Sequence, residues 1–504
     1  MATLGIDLGT TDSLAAYITR QKVPALIPDK DVLQAFQTPF AVGFCDGCAL
    51  VGKPLEDLLH VDPAYPIVRF RDLQLASKKT VLTDDLERGW SSEAVVGILL
   101  KKLGQDAERL SHESVSRAVV ATPGSFGAAE RESVERAAVL AGYPSPVVVT
   151  DAEAVAVYHG LERSDAPKNY LIYDLGGEVF GATLLRATRE GLEVLSAASR
   201  DTGSRSLEDA LMEAFAEEIV GRSSQDPLSD PVSRVQLRRV ALRVKLKLAG
   251  GSGQPVRQSV LLAGEAHDFV VTARQFYAML EPLLRSSLAA CQECLETASL
   301  SWKDLEHVVL AGGGSQMAFV IDRVARAAGR SPGELVRRNV VESAAFGAAV
   351  LAARLGEDEV DDSAPRSHDR LSFDLGLTVF DEERERRDFR VLIEKGTPLP
   401  ARCDATFYTT TPEQRRMLFH VVRSETSGER RELGRFAFGP IEKPRKNYPV
   451  ELELSCSREG TIRLRTRDAW TGTEVEEDLQ EESQVESARL SREMSWLSDL
   501  RINE

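Results

Sequence analysis

From Leu4 to about Leu355, short β-branched runs alternate with longer stretches in which apolar residues return every three or four positions. That alternation predicts an α/β fold. Strands are expected at 4–8 (LGIDL), 118–122, 170–175, 182–187 and 307–312, with helical patterns such as AAERESVERAAVLAG between them. Several of these strands run straight into Gly-rich turns. Residues 356–370 (GEDEVDDSAPRSHDR) are charged and small, bury nothing, and read as a solvated linker. Beyond it, runs at 389–393, 405–410, 417–422, 434–439, 450–457 and 461–468, separated by turn residues, predict a β-sandwich. After Leu479 the chain turns acidic and helical. Leu490, Met494, Trp496, Leu497 and Leu500 form one apolar stripe, expected to dock on the β region, with dimerisation or membrane binding as the alternatives. The expected organisation is 1–355, an acidic linker at 356–370, a β-sandwich at 371–480 and a short helix at 481–504.

Composition narrows the partners. The 504 residues carry Lys+Arg 62 against Asp+Glu 78, a net charge of −16, which repels nucleic acid and anionic lipid. The chain has no run long enough for a membrane span and opens on strand-like residues without a basic, apolar leader, so a cytoplasmic protein is expected. Two C-x-x-C pairs, Cys45 with Cys48 and Cys291 with Cys294, raise zinc as a possibility. The first brackets Asp46-Gly47, a hairpin dipeptide, and the second lies in a helical pattern, so four ligands gathered from short loops are not expected and the cysteines read as structural.

The candidate chemistry lies in three Gly-rich turns. In DLGTTDS at 7–13 a carboxylate, a glycine and two hydroxyls follow a strand. Gly9 lets the backbone approach an anion, Thr10 and Thr11 offer donors, and Asp7 can hold a metal-bound water. In YDLGGEVF at 173–180 the pattern recurs, with Asp174 at a strand end before Gly176 and Gly177, which suggests a duplicated unit. In LAGGGSQ at 310–316, Gly312, Gly313 and Gly314 end a strand before a helical segment, a place for a phosphate or a nucleotide's sugar.

In that order, DLGTTDS, ATPGSFGAAERESVERAAVLAGY, IYDLGGEVFG, VVLAGGGSQ and ESAAFGAAVLAA resemble the nucleotide-binding domain of the heat shock protein 70 chaperone family. LSFDLGL, IEKGTPLP and REGTIRLRTRDAWTGTE resemble its peptide-binding domain, so the resemblance runs from about Leu4 to Leu479. It implies a two-lobed, actin-like α/β ATPase domain built from duplicated ribonuclease H-like units, followed by a β-sandwich and here a short C-terminal helix. It further implies that ATP or ADP binds with magnesium, that Asp7 and Asp174 position the metal through water, and that Thr10, Thr11, Gly176 and Gly177 cradle the phosphates. Lys245, Gly312, Gly313 and Gly314 would face the nucleoside side. Pro123 and Arg131 match a proline switch and its relay arginine. Leu377, Phe380, Phe407, Met417 and Phe419 fall where the family lines its peptide groove, although sandwich-core positions account for them equally well. Unfolded clients, a J-domain cochaperone and a nucleotide exchange factor are the implied partners.

The departures from the pattern are specific. Arg69 stands for the family's catalytic lysine, a fork in place of a point charge, and Asp151 stands for a glutamate near the metal, one methylene shorter. In the second turn, Glu178, Val179 and Gly181 replace Gly, Thr and Asp, so a carboxylate sits beside the phosphates and a hydroxyl and a carboxylate are lost. Arg205 to Glu208 replace the GGED segment, Leu246 stands where an arginine would stack on adenine, and Gln316 replaces another arginine. The linker offers only Val360 as an apolar docking residue, and the residues after Leu479 are too few for the family's helical lid. The expectation is an ATP-dependent chaperone with a divergent site. A nucleotide-independent scaffold of the same fold is the alternative, and a sugar kinase, which leaves the β region unexplained, ranks last.

Overall fold

A computed structural model describes residues 2–503, apart from 60, 63, 76, 78, 224–225, 252, 263, 358–370, 372–373, 382–385, 395–396, 398–399, 425–429, 457–461 and 479–480. The expected linker falls almost wholly outside the described residues. The chain divides into two compact units, Met1–Asp361 with Arg492–Glu504, and Asp362–Ser491.

The first unit holds two sheets of related plan. In one, Ala2–Asp7 pairs antiparallel with Asp12–Ile18 and parallel with Val115–Thr122, which pairs parallel with Val147–Thr150. In the other, Lys168–Leu175 pairs antiparallel with Phe180–Ala187 and parallel with Leu305–Ala311. The two aspartates occupy matching places. Asp7 lies opposite Ala121 and Asp174 opposite Ala311, each where a central strand ends beside its parallel neighbour. Tyr170–Tyr173 is a run of four consecutive buried residues, because a central strand covered on both faces needs apolar side chains on both. Gly347 packs its helix so closely on the helix Asp151–Tyr158 that a Cβ there would meet the Ala154 carbonyl oxygen at 1.7 Å.

The second unit is two four-stranded antiparallel sheets. Arg386–Ile393, Asp374–Asp381, Met417–Ser424 and Arg430–Phe438 form one in that order, and Ala401–Tyr408, Pro449–Cys456, Ile462–Asp468 and Glu474–Asp478 the other. Alternate residues such as Leu375, Leu377, Phe419, Val421, Phe436, Val450, Leu452, Leu454 and Leu464 fill the layer between them. The last strand, EVEED, has little intrinsic β preference. Cross-strand ion pairs hold it, Arg465 to Glu476 at 2.7 Å and Arg463 to Glu476 at 3.2 Å.

The C-terminal helix, Glu481–Asp499, departs from expectation: its last turns belong to the first unit and not to the β unit. Leu497, Leu500 and Ile502 are buried, and the Trp496 ring meets the Trp90 ring edge-on at 5.6 Å. Glu493, 2% exposed, accepts from the Ser91 backbone N–H and hydroxyl, both at 3.0 Å. The Lys101 ammonium donates to the carbonyls of Leu497, Ser498 and Leu500, so it caps the end of the helix. Asn503 then bridges Val51 and Asp31. An apolar stripe reports that a helix buries one face but not which surface covers it, and these partners are 400 residues or more away in sequence for Ser91 and Val51.

Candidate functional site

The two related hairpins of the first unit meet at their turns. A Cβ on Gly177 would lie 2.0 Å from Thr11 Oγ1, so the second turn presses directly on the first and only glycine fits there. Gly312, in the left-handed region at φ 75°, brings the third turn against the other two: a Cβ there would meet Asp174 Oδ1 at 2.2 Å. Gly313 opens a short 3-10 turn, and Gly314 is buried against Leu175. Gly9 and Gly176 close the first two turns against the carbonyls of Asp12 and Val179. The structure therefore brings together Asp7, Gly9, Thr11, Asp174, Gly176, Gly177, Gly312 and Gly314, and Thr10 shares the tip of the first turn.

Carboxylates dominate the centre. Burial raises Asp7 to about 7, with Asp151 adding repulsion, and burial with Asp7 as neighbour likewise raises Asp174. Asp151 opens the helix Asp151–Tyr158 and accepts from the N–H groups of Ala152 at 2.6 Å and Gly124 at 3.2 Å. Burial and the Asp174 charge still hold it well above the usual range. Three half-buried acids therefore repel one another at the centre of the turns. Two hydroxyls of the first turn and the strand after it, Thr11 Oγ1 and Ser13 Oγ, are buried without a hydrogen-bond partner.

The cations around this centre are held by acids of the same chain. Arg69 pairs with Glu56 at 3.5 Å, Arg205 with Glu178 at 3.0 Å, and Lys245 with Glu208 at 2.8 Å. Glu178, the carboxylate that replaces a glycine, is thus compensated locally. Asp12 is raised to about 6 by burial and then by Glu56, with Arg205 and Lys245 opposing. From the sequence, Asp12 and Ser13 have no role of their own and Arg205 is marked only as a departure from the family pattern. For Arg205 the signal was present, a guanidinium where the resemblance puts a glycine.

Beside the third turn a cavity of about 320 Å³ is lined by Ser315, Gln316, Ile321, Arg337, Asn339, Val340 and Glu342. Leu246 is 64% exposed. Pro123 and Arg131 lie one turn apart, with Arg131 Nη1 donating to the Phe126 carbonyl at 2.6 Å and the Phe126 N–H donating to the Pro123 carbonyl at 3.0 Å. The Phe126 ring stacks on Phe70, next to Arg69, at 5.8 Å between centroids.

In the second unit, Leu377, Met417 and Phe419 are buried in the sandwich interior and Phe407 is half-buried at its margin, 5.5 Å ring to ring from Phe419. The side chain of Phe380 lies outside the described residues. The core alternative describes the three buried ones as they stand here. The cysteines are free, Cys45 opposite Cys48 across the Asp46-Gly47 hairpin, Cys291 and Cys294 buried on one helix. Among the described residues no group of His, Cys, Asp or Glu gathers as a direct metal-binding cluster, and no helix is long and apolar enough to cross a membrane.

The chain thus combines a mixed α/β unit, whose three Gly-rich turns meet around half-buried aspartates, with an antiparallel sandwich unit. The family model for Hsp70 proteins matches residues 3–496. The chain belongs to the Hsp70 family.

Proposed function

We propose that this protein binds ATP with magnesium where the three turns meet, hydrolyses it slowly, and uses its β-sandwich unit to bind extended apolar segments of unfolded client proteins in the cytoplasm. The observation that carries the reading is the convergence of three mutually repelling acids, Asp7, Asp151 and Asp174, with the three Gly-rich turns. Asp7, Asp151 and Asp174 suit a hydrated divalent cation, and Thr11 Oγ1, at the first turn against Gly177, lacks the acceptor that a phosphate oxygen would supply. Gly176 and Gly177 would admit the backbone to the phosphates, and Gly312, Gly313, Gly314 and Lys245, the last on the helix Pro231–Ala249, would serve the nucleoside side. Magnesium, when bound, would screen the phosphate charge. Arg69 and Asp151 are the groups proposed to orient an attacking water. The Phe70–Phe126 stack supports a relay from Arg69 to Pro123 and Arg131. A client would reach the margin at Phe407, and contact with Leu377, Met417 and Phe419 would require the sheets to part. J-domain and exchange-factor partners follow from family membership.

The test is calorimetric titration with ATP and ADP in magnesium, with Asp7→Ala and Asp174→Ala as controls. Binding that both substitutions abolish supports the reading. Silence up to millimolar nucleotide refutes it and leaves a nucleotide-independent scaffold.

A further inference from the structure

Arg205 straddles the second turn. Its backbone N–H donates to the Gly177 carbonyl at 2.7 Å, and its guanidinium Nη1 donates to Glu178 Oε1 at 3.0 Å. One residue earlier the Ser204 N–H donates to the Gly176 carbonyl at 2.9 Å, so the segment is stitched to the turn at two points. The Arg205 and Glu178 side chains are 19% and 16% exposed. A guanidinium has five N–H donors, and among the described residues Glu178 takes one of them.

The other two cations differ from it. Lys245 is fully engaged, with Glu208 at 2.8 Å, the Ser204 carbonyl at 3.0 Å and the Ser204 hydroxyl at 3.3 Å. Arg69 is held only loosely by Glu56, at 3.5 Å, and burial and the nearby Arg205 charge both lower its pKa. Arg69 and Arg205 lie within range of each other's charge and each is tied to a separate acid, Glu56 and Glu178, so the two guanidinia could converge on an added anion. The polar cavity adjoins the third turn, whereas Arg205 is bonded to the second, so the nucleoside is assigned to the former and the terminal phosphate to the latter.

We propose that Arg205, together with Arg69, recognises the terminal phosphate of bound ATP, and that Glu178 is an internal carboxylate that occupies Arg205 until that phosphate displaces it. The inference rests on the nucleotide reading of the site. A phosphate can engage a guanidinium through two parallel hydrogen bonds and carries more charge than a carboxylate, so the exchange favours a ligand with a third phosphate over one with two. Glu178 and Arg205 are then a matched pair of departures from the family pattern, the acid tolerable because the arginine is there.

The experiment measures ATP and ADP affinity, both with magnesium, for the wild type, Arg205→Gln, Arg205→Lys and Glu178→Gln. Arg205→Gln should weaken ATP by roughly ten- to a hundredfold, the worth of one charge-assisted hydrogen bond, and ADP by less than about threefold. Retained ADP binding also shows that the variant is folded. Arg205→Lys should recover part of the loss, and Glu178→Gln should tighten ATP. Unchanged ATP affinity in Arg205→Gln, equal loss of ATP and ADP, or weaker ATP binding in Glu178→Gln would overturn the inference while leaving the nucleotide reading in place. If neither the wild type nor Glu178→Gln binds ATP at millimolar concentration, the nucleotide reading fails and the inference with it. A wild type that is silent beside a Glu178→Gln variant that binds would also overturn the inference, because Glu178 would then block the phosphate and not yield to it.

Discussion

Leu497→Ala tests whether the C-terminal tail is an integral part of the first unit. Leu497 is fully buried, and a Cβ built on Gly97 would come within 3.6 Å of its Cδ2, so the side chain lies directly on the helix Ser92–Ser111. Removing it leaves a cavity under a segment also held by Lys101, Glu493 and Asn503. Large-to-small substitutions at such sites cost about 2–5 kcal/mol, and a chain end can settle partway into the gap, which places the loss at about 2–3 kcal/mol. Hydrogen exchange reads that loss at the tail itself. Ala49 N–H donates to the Arg501 carbonyl, Val51 N–H to Asn503 Oδ1, and Asn503 N–H to the Ala49 carbonyl. Their protection should fall by roughly thirty- to a hundredfold, since each ~1.4 kcal/mol is a factor of ten. Met494→Ala, at a position 40% exposed on the same helix, is the control and should change protection by less than about threefold. Unchanged protection in Leu497→Ala, or equal losses in both variants, would refute the docked tail.

Lys102→Met strands Asp29 and Asp106, each 2.6 Å from a lysine that is wholly buried. The loss should be about 3–5 kcal/mol in a urea titration at pH 8, and smaller at pH 5, where Asp106, raised to about 6 by burial, already carries a proton. Gly177→Ala drives a methyl into Thr11, whose Oγ1 would lie 2.0 Å away, so nucleotide affinity should drop at least about tenfold while near-ultraviolet dichroism of the folded protein persists. His159 is lowered to about 4 by burial and then by Arg338. Between pH 6.5 and 4 the unfolded chain takes up a proton there that the folded chain refuses, so stability is lost as pH falls through that window. His159→Gln should flatten that slope in urea titrations at pH 4.5, 5.5 and 6.5, and an unchanged slope would dismiss the buried neutral histidine as its source.

Strand positions were readable because their residues are written locally. LGIDL, YLIYDL and VELELSCS each fall on an observed strand to within two or three residues. The same holds for the Asp46-Gly47 hairpin, whose two residues take φ 51° and 75° as the dipeptide predicts. Three features stayed hidden for one shared reason: each depends on a partner distant in sequence. The strand Glu474–Asp478 is held by arginines of its neighbour, the helix Glu481–Asp499 finds its cover at Trp90 and Ser91, and Arg205 acquires meaning only when it meets Glu178. Leu377, Met417 and Phe419 show the converse limit. Strand alternation places Met417 and Phe419 on one face, but a sandwich interior and a peptide groove demand the same apolar residues, and the structure puts all three side chains inside.

The charge arrangement at the three turns carries a further consequence for how a nucleotide enters. The cations that could meet its phosphates start out paired, Arg69 with Glu56, Arg205 with Glu178 and Lys245 with Glu208, whereas Asp7, Asp12, Asp151 and Asp174 are half-buried acids raised above their ordinary range. The site before binding is therefore short of positive charge, and bare ATP would bring more negative charge to it. Two like charges ~4 Å apart repel by about 4 kcal/mol at the effective dielectric of a protein surface, more than one new hydrogen bond returns. ATP should bind as its magnesium complex or scarcely at all. Chelating the magnesium with EDTA should weaken ATP by at least about a hundredfold, and Asp174→Asn should narrow the gap between the two conditions, because it removes one of the acids that the metal offsets. Equal affinity with and without magnesium would mean that the paired arginines and Lys245 open freely for phosphate, and the aspartates would then need a different role.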